Sequence, residues 1–203
     1  MLQRPAPRLI LASASASRQA VLRAAALTFA VQPAHLDEAE VKRAAREDGS
    51  SAEQAALLLA ELKAKRVASG EPGALVIGAD QILVCDNEWF DKPADGPAAA
   101  LQLRALRGRT HALATAVVCV RDGQRLWHHV AQPRLRMRPF SDAFLHDYLT
   151  IEGDAVTTTV GAYRLEGYGV HLFDRIEGEH STILGLPLLE LLGFLRQYGI
   201  LEA

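Results

Sequence analysis

Hydrophobic and polar residues recur along the chain with two different periods, which predicts a mixture of strands and helices. Short β-branched and aliphatic runs bounded by Gly, Pro or Asp are typical of strands, whereas apolar residues three or four positions apart are typical of helices. Strands are predicted at RLILA (8–12), FAVQP (29–33), ALVIGA (74–79), ILVC (82–85), HALATAVVCV (111–120), RLWHHVAQPRLRMR (125–138) and GVHLF (169–173). Helices are predicted at 17–26, 51–68, 97–108, 141–149 and from 187, with a charged segment, 37–48, that is partly helical or mobile.

Turn residues fix how some of these elements connect. Asp86-Asn87 separates two short apolar runs, and Asp122-Gly123 lies between two long ones, as expected for two-residue hairpin turns. Ser51 precedes an apolar helix with Gln54 in its first turn, which is a helix-start signal. The pattern indicates a mixed α/β fold.

Composition is consistent with one large domain, or two intimately joined lobes, spanning residues 1–203. With 203 residues and 49% hydrophobic content, the chain can bury a sizeable core. The formal charge of −2 comes from interspersed acids and bases, which argues against a nucleic acid polymer as partner but leaves small anionic substrates open. Cys85 and Cys119 lie inside apolar runs, so we expect reduced thiols and a cytoplasmic protein.

Targeting and membrane segments are not expected. The apolar stretch LILA near the N-terminus is too short for the core of an export signal, and a helical pattern opens at Arg18. The sequence has no run of about 18 apolar residues, so no membrane span is predicted. The P-loop, dinucleotide-binding, HExxH and GxSxG motifs are also missing, which removes several common classes of enzyme.

An aspartate interrupts the apolar pattern at the end of ALVIGA. A buried, unpaired carboxylate is costly, so Asp80 must be solvated in a cleft, paired with a cation or bound to a metal. Lys92 in the following FDKPAD is one candidate cation. Asp37 and Glu38 follow a predicted strand, and either supply oxygen ligands for Mg²⁺ or cap the next helix.

A second group of candidate residues is suited to an anion. The segment SASASR, residues 13–18, places hydroxyls and a guanidinium between a predicted strand and helix, where free backbone N–H groups favour phosphate. The alternative is that Ser15 or Ser17 caps the helix while Arg18 is solvated. Lys63 lies on the predicted helix 51–68, where it either contacts a ligand or belongs to a solvated face.

Five blocks in register resemble the Maf family of nucleotide pyrophosphatases. They are LILASASASRQAVL, the Lys63 helix, GADQILV with DKPAD, GRTHALATAVV, and VGAYRLEGYGVHLFDRIEGEHSTILGLPL, and together they extend from Leu9 to about Leu195. The resemblance implies hydrolysis of a nucleoside triphosphate between the α and β phosphates with a divalent cation, Mg²⁺ or Mn²⁺. It also implies an elongated, ITPase-like α/β fold, with a mixed twisted sheet flanked by helices, two lobes around a cleft, and a homodimer.

The resemblance also implies roles for single residues. Asp80 matches the catalytic aspartate, which is a general base or a metal ligand, and Glu38 matches an acidic metal ligand. Phosphate contacts are implied for Ser13, Ser15, Arg18, Lys63 and Lys92. Three positions depart from the family pattern: Ala16 replaces a proline, Ser17 replaces an arginine, and Asp91 replaces a glycine.

Three positions bear on the choice of substrate. Gln81 and Glu166 resemble the branch of the family that acts on 7-methyl-GTP, since a carboxylate can accept two hydrogen bonds from the guanine edge. Ser17 stands where that branch has tryptophan, so a stacking surface is missing there. The alternatives are a dTTP/UTP pyrophosphatase, a non-catalytic nucleotide-binding regulator of septum formation, and a metal-dependent phosphatase or nuclease.

Overall fold

The computed structural model describes residues 3–202 as a mixed α/β protein. The strands are β1 (Leu9–Leu11), β2 (Ala30–Val31), β3 (Leu75–Cys85), β4 (Glu88–Phe90), β5 (Thr110–Arg121), β6 (Gln124–Ala131), β7 (Arg134–Met137) and β8 (Phe173–Glu177). The α-helices are α1 (Ala16–Ala24), α2 (Glu38–Glu47), α3 (Ala52–Ala68), α4 (Gly96–Leu106), α5 (Asp142–Glu152), α6 (His180–Ile183) and α7 (Leu188–Gln197). Short 3₁₀ helices lie at Gly153–Thr157, Val160–Ala162 and Tyr168–Leu172.

The chain divides into two compact units. Unit 1 contains the residues up to Gln81, Thr115–Ala131, and those from Glu179 onward. Unit 2 contains Ile82–Ala114 and Gln132–Gly178. The strands β3 and β5 each contribute residues to both units.

Unit 1 is built on a sheet with parallel and antiparallel pairings. The strand β1 pairs in parallel with β2 on one side and with β3 on the other, while β6 pairs antiparallel with β5. Side chains alternate between the two faces of a strand, so the odd-numbered residues of β3 share one face. On that face, the helices α1 and α7 complete an apolar core through residues that include Leu22, Ile77, Val117, Leu191 and Leu195.

The helix α3 packs against the opposite face of β3. A Cβ atom at Gly78 would lie 2.1 Å from the carbonyl oxygen of Ala60 and 2.9 Å from the Cβ of Ala64. Any larger residue at position 78 would therefore push α3 away from the strand. This close approach brings the side of α3 that carries Lys63 toward the face of β3 that carries Asp80.

Unit 2 combines antiparallel pairs with two longer helices. The end of β3 forms a hairpin with β4, and the first residues of β5 pair with β7, which pairs in turn with β8. Arg107, at the end of α4, donates to the carbonyl oxygen of Phe140 (3.0 Å) and to Oδ1 of Asp142 (2.9 Å) at the start of α5. The guanidinium thus ties α4 to α5.

The mixed α/β class, the two hairpin turns and several helix starts agree with the sequence predictions. Asp86 and Asn87 have φ angles of 49° and 68°, and Asp122 and Gly123 have 49° and 77°, as two-residue hairpin turns require. Ser51 caps α3 through a capping box with Gln54. The segment 37–48 is helical, since it forms α2.

Four of the predicted strands were wrong in their bounds. The runs 74–79 and 82–85 belong to one continuous strand, β3, because Asp80 and Gln81 keep the extended backbone. The run 125–138 is two strands, β6 and β7, interrupted near Pro133, which has no N–H to donate to a sheet. Most of GVHLF is the 3₁₀ helix Tyr168–Leu172, and β8 begins only at Phe173.

Both cysteines are free and buried, as predicted. Burial raises the pKa of the Cys119 thiol above its ordinary value. Among residues 3–202, no helix has the length and apolar character needed to cross a bilayer.

Candidate active site

Asp80 is a buried carboxylate in the middle of β3. It is 4% exposed, and it lies on the face of the strand that also carries Gly78 and packs against α3. Its Oδ1 atom accepts a hydrogen bond from Nζ of Lys63 at 2.6 Å. The cation that pairs with Asp80 is therefore Lys63, one of the two lysines that the sequence assigned to phosphate.

Lys63 connects Asp80 to a second carboxylate. Its Nζ atom lies 2.8 Å from Oε1 of Glu38, the first residue of α2, and its own side chain is only 8% exposed. Glu38 is 43% exposed and reaches solvent. Asp37, by contrast, caps α2 by accepting a hydrogen bond from the N–H of Glu40 (3.0 Å), so the two acidic residues have different roles.

The pKa of Glu38 reflects this arrangement. Burial by itself would raise the pKa, but the charge and the hydrogen bond of Lys63, with smaller contributions from Lys42 and Arg18, hold it below its ordinary value. Glu38 is therefore ionised at neutral pH. Glu38 and Asp80 thus both contact Nζ of Lys63 in unit 1.

The second oxygen of Asp80 has unused hydrogen-bonding capacity. Its Oδ2 atom is buried and has no hydrogen-bond partner among residues 3–202. Leaving a charged acceptor unsatisfied is expensive in a finished core, and such atoms are common where a ligand completes the site. Oδ2 is positioned to accept a proton from a water molecule or to bind a cation.

The chemistry of these donors fits a divalent cation bound together with substrate. Mg²⁺ is usually held by one or two carboxylates plus phosphate oxygens and water, and Asp80 with Glu38 supplies two carboxylates. Within residues 3–202 there is no group of three or more His, Cys, Asp or Glu side chains that could hold a metal ion without further ligands. The described residues would therefore need substrate oxygens or water to complete the coordination of a metal ion.

The serine-rich segment between β1 and α1 is organised around Arg18. Ser15, and not Ser17, is the N-cap of α1, because its side chain accepts from the Arg18 N–H (3.4 Å). The guanidinium of Arg18 donates from Nη1 to Oγ of Ser13 (3.1 Å) and from Nε to the carbonyl oxygen of Gly185 (2.9 Å). Ser17 lies half-buried in the first turn of the same helix.

Arg18 belongs to the same electrostatic group as the two carboxylates. Burial lowers the pKa of its guanidinium, while the charges of Asp80 and Glu38 act to raise it. Arg18 is therefore not simply a solvated side chain at the start of a helix. Arg18 is partly buried beside two acidic residues. A guanidinium in such a place is suited to binding an anionic ligand.

Gln81 points to the other face of β3 and is bonded to the protein. Its Nε2 atom donates to Oγ1 of Thr115 (2.9 Å) and to the carbonyl oxygens of Thr182 (3.1 Å) and Ile183 (3.2 Å). Because backbone carbonyls only accept, these contacts fix which way the amide is turned. Thr115 and Thr182 were not among the predicted site residues, although they lie in the blocks GRTHALATAVV and VGAYRLEGYGVHLFDRIEGEHSTILGLPL.

The remaining two predicted site residues lie in unit 2. Lys92 is exposed in the loop between β4 and α4. Glu166 is exposed in a turn between two of the 3₁₀ helices. Of the predicted residues in unit 1, the structure connects Ser13, Arg18, Glu38, Lys63 and Asp80 through hydrogen bonds, ion pairs and charge.

Comparison with known proteins gives consistent matches over nearly the whole chain. The family model described as "Maf-like protein" matches residues 8–198. A nucleoside triphosphate pyrophosphatase from Paramagnetospirillum magneticum is 54% identical over 190 residues, covering 94% of this chain and 98% of that protein. One with the same name from Granulibacter bethesdensis is 52% identical over 194 residues, covering 96% and 98%. A 7-methyl-GTP pyrophosphatase from Rhizobium etli is 45% identical over 196 residues, covering 97% and 98%.

Proposed function

The chain belongs to the Maf-like protein family, and from this premise we propose that it hydrolyses 7-methyl-GTP to the nucleoside monophosphate and pyrophosphate. The broader class, nucleoside triphosphate pyrophosphatase, is the printed name of relatives that are about half identical to this chain. The chain is accordingly a hydrolase. The observation that carries the proposal is the buried pair of Lys63 and Asp80, joined by the half-exposed Glu38 beside Arg18, with one Asp80 oxygen that has no hydrogen-bond partner among the described residues.

The first chemical requirement is a nucleophile. Attack on the α phosphorus needs a water molecule whose proton is accepted as the new P–O bond forms. Oδ2 of Asp80 is the acceptor in this proposal, because Oδ1 is already occupied by Lys63. Lys63 holds the carboxylate in one orientation, which keeps Oδ2 directed at the water.

The second requirement is neutralisation of the triphosphate. The guanidinium of Arg18, oriented by Ser13 and Gly185, is suited to two parallel hydrogen bonds to phosphate oxygens. An ammonium group has three N–H donors, so Lys63 can meet a phosphate oxygen while it contacts both carboxylates. We propose the same phosphate-binding role for Ser15 and for Lys92.

We propose Mg²⁺ or Mn²⁺ as the cofactor, held by Glu38, the substrate's phosphates and Asp80, whose Oδ2 has a second lone pair besides the one that accepts the proton. A bound divalent cation would offset phosphate charge and increase the acidity of coordinated water. The chain's own part is to supply two carboxylates and, through Lys63, to keep them from repelling each other before the substrate binds.

Base recognition is proposed for Glu166, with contributions from Ser17 and Gln81. A carboxylate accepts two hydrogen bonds from the N1–H and exocyclic amine of guanine, and a 7-methylated ring adds a favourable positive charge. Uracil and thymine do not offer that pair of donors. The resemblance to the Rhizobium etli protein named 7-methyl-GTP pyrophosphatase supports this assignment. Gln81, whose amide donates to Thr182 and Ile183, would act by shaping unit 1 around the nucleotide.

Replacing Glu166 with Gln is the experiment that tests the substrate. Glutamine keeps the size but puts a donor NH₂ where guanine needs an acceptor, and a buried mismatch of this kind costs about 1–3 kcal/mol. We expect the ratio of kcat/KM for 7-methyl-GTP over UTP to fall by one to two orders of magnitude. The matched control is Glu177→Gln, another exposed glutamate of unit 2, which should leave the ratio unchanged. A parental enzyme that favours dTTP or UTP would overturn the proposed substrate.

Replacing Arg18 or Lys92 with Ala should weaken catalysis equally for every nucleotide. Phosphate contacts are common to all nucleoside triphosphates, and a charge-assisted hydrogen bond contributes about 1.5–3 kcal/mol, so kcat/KM should drop about tenfold to hundredfold. Pyrophosphate release from 7-methyl-GTP, GTP, dTTP and UTP measures this. Arg23→Ala, an exposed arginine of the same helix as Arg18, is the control and should change little. A change in the rank order of bases would move that residue out of the phosphate site.

Product analysis separates the proposed activity from its alternatives. Orthophosphate would indicate a phosphatase, and nucleotide binding without pyrophosphate release would indicate a regulator. A homodimeric state remains a prediction from the family resemblance, and a cytoplasmic location remains a prediction from the unpaired cysteines. Sedimentation equilibrium would measure the first directly.

A further inference from the structure

The turn that carries Glu166 is fastened at both ends to one carboxylate on another element. Glu152 is the last residue of α5, and its side chain is only 6% exposed. Its Oε1 atom accepts a hydrogen bond from the backbone N–H of Tyr168 at 3.0 Å. Its Oε2 atom lies 3.3 Å from Nε of Arg164. Glu166 lies midway between these two anchored residues.

The backbone of the turn lies directly on this ion pair. A Cβ atom at Gly167 would lie 2.9 Å from Oε1 of Glu152 and 3.1 Å from Nη2 of Arg164. A Cβ atom at Gly169 would lie 2.4 Å from the carbonyl oxygen of Arg164. Glycine at both positions is what lets the turn reach the carboxylate, and the hydrogen bond from Gly167 N–H to the Arg164 carbonyl (3.3 Å) closes it.

We propose that Glu152 is a positioning residue that sets the direction of Glu166 and thereby the selectivity for the base. This inference rests on the proposed role of Glu166 as the residue that reads the base. A buried carboxylate is tolerated when it is paired and hydrogen-bonded, and Glu152 meets both conditions by binding residues on either side of Glu166. An exposed glutamate on an untethered turn would sample many directions, and hydrogen bonds to a base require one.

Two substitutions at position 152 remove the tether in steps. Glu152→Gln keeps an acceptor for the Tyr168 N–H but removes the charge that pairs with Arg164, whereas Glu152→Met removes both. We expect the ratio of kcat/KM for 7-methyl-GTP over UTP to fall about tenfold in Glu152→Gln and further in Glu152→Met. The rate on UTP should change little. A purely structural role would instead lower both rates together.

The decisive measurement is a double-mutant cycle with Glu166→Gln, made on the pair of nucleotides that the parental enzyme separates most. If Glu152 acts through Glu166, then Glu152→Gln has no further effect on the ratio once Glu166 is glutamine. Asp142→Asn is the matched control, because it removes an ion pair with Arg107 at the other end of α5 and should leave the ratio unchanged.

The outcomes separate this inference from the proposed function. If Glu166→Gln shifts the ratio and Glu152→Gln does not, or if their effects simply add, the positioning role is wrong and the proposed substrate stands. If the parental enzyme prefers UTP but the two variants are coupled, the positioning role stands and the substrate is wrong. If Glu166→Gln changes no ratio of kcat/KM, then both proposals are wrong: that Glu166 recognises the base and that Glu152 positions it.

Discussion

The variant Asp80→Asn is expected to lose pyrophosphate release by about 10²–10⁴-fold, the range ascribed to a positioned general base. The amide is nearly isosteric with the carboxylate, but it is a poor base and a poor metal ligand. The loss should appear in kcat on every nucleotide, because the reaction at the α phosphorus is common to all of them.

The same variant should remain folded and should still bind nucleotide. Asparagine retains a carbonyl oxygen that can accept from Lys63, and Lys63 keeps its second carboxylate partner, Glu38. The Lys63 ammonium and the Glu38 carboxylate therefore still pair with each other in the variant. The amide nitrogen would take the place of Oδ2, which has no partner to lose among the described residues.

Three measurements on Asp80→Asn test whether Asp80 acts in turnover and not in folding or binding. Pyrophosphate release reports turnover, circular dichroism reports the fold, and equilibrium binding of 7-methyl-GTP reports recognition. Asp147→Asn, an exposed aspartate on α5, is the charge-matched control and should behave as the parent does. Near-parental turnover in Asp80→Asn would mean that another group prepares the water, and the mechanism proposed above would be wrong.

The fold of unit 1 was predictable where one local rule sufficed. Ser51 with Gln54 made a capping box, and the Asp122-Gly123 turn took the backbone angles that such pairs favour. Asp80 was a candidate because it interrupts an apolar run. Each of these features depends only on residues that are close in sequence, so the sequence alone predicts it.

The partner of Asp80 was not predictable in the same way. The sequence offered Lys92 as a candidate, because it lies in the next loop, and gave Lys63 either a contact with phosphate or a place on a solvated helix face. The choice of Lys63 depends on how closely α3 approaches β3, and Gly78 allows that approach by having no side chain between the strand and Ala60. Hydrophobic periodicity does not encode such distances between elements.

In the segment around Glu166, the sequence pattern predicted the wrong secondary structure. GVHLF is a short, largely apolar run and was predicted to be a strand, yet Tyr168–Leu172 is a 3₁₀ helix. Its backbone is fixed by tertiary contacts, with Glu152 accepting from Tyr168 and Gly169 packed on Arg164. Those contacts outweighed a local preference that is weak for so short a run.

The variant Lys63→Met should be destabilised by about 3–5 kcal/mol, the usual cost of removing one partner from a buried ion pair. Methionine has a similar length, so packing changes little, but Asp80 is 4% exposed and would lose the hydrogen bond and the cation that Nζ supplies. Glu38 is better hydrated and should contribute less to the loss.

A second substitution identifies the cause of this loss. In Lys63→Met with Asp80→Asn, the uncompensated charge is gone, so the double variant should be more stable than Lys63→Met alone even though it carries one change more. Urea unfolding of the parent, both single variants and the double variant measures the four free energies of unfolding. Lys65→Met, on the exposed side of α3 and paired with Glu61, is the control and should lose no more than about 1 kcal/mol.

The loss of stability should explain only part of the loss of turnover in Lys63→Met. Its pyrophosphate release should remain low even at temperatures where it is fully folded, because the Asp80 carboxylate is no longer oriented and the phosphates lose a cation. The double variant should recover stability without recovering turnover. A double variant no more stable than Lys63→Met would show that Lys63 contributes packing and not charge compensation. Near-parental turnover in Lys63→Met or in the double variant would contradict the proposed roles of Lys63 in orienting Asp80 and binding phosphate.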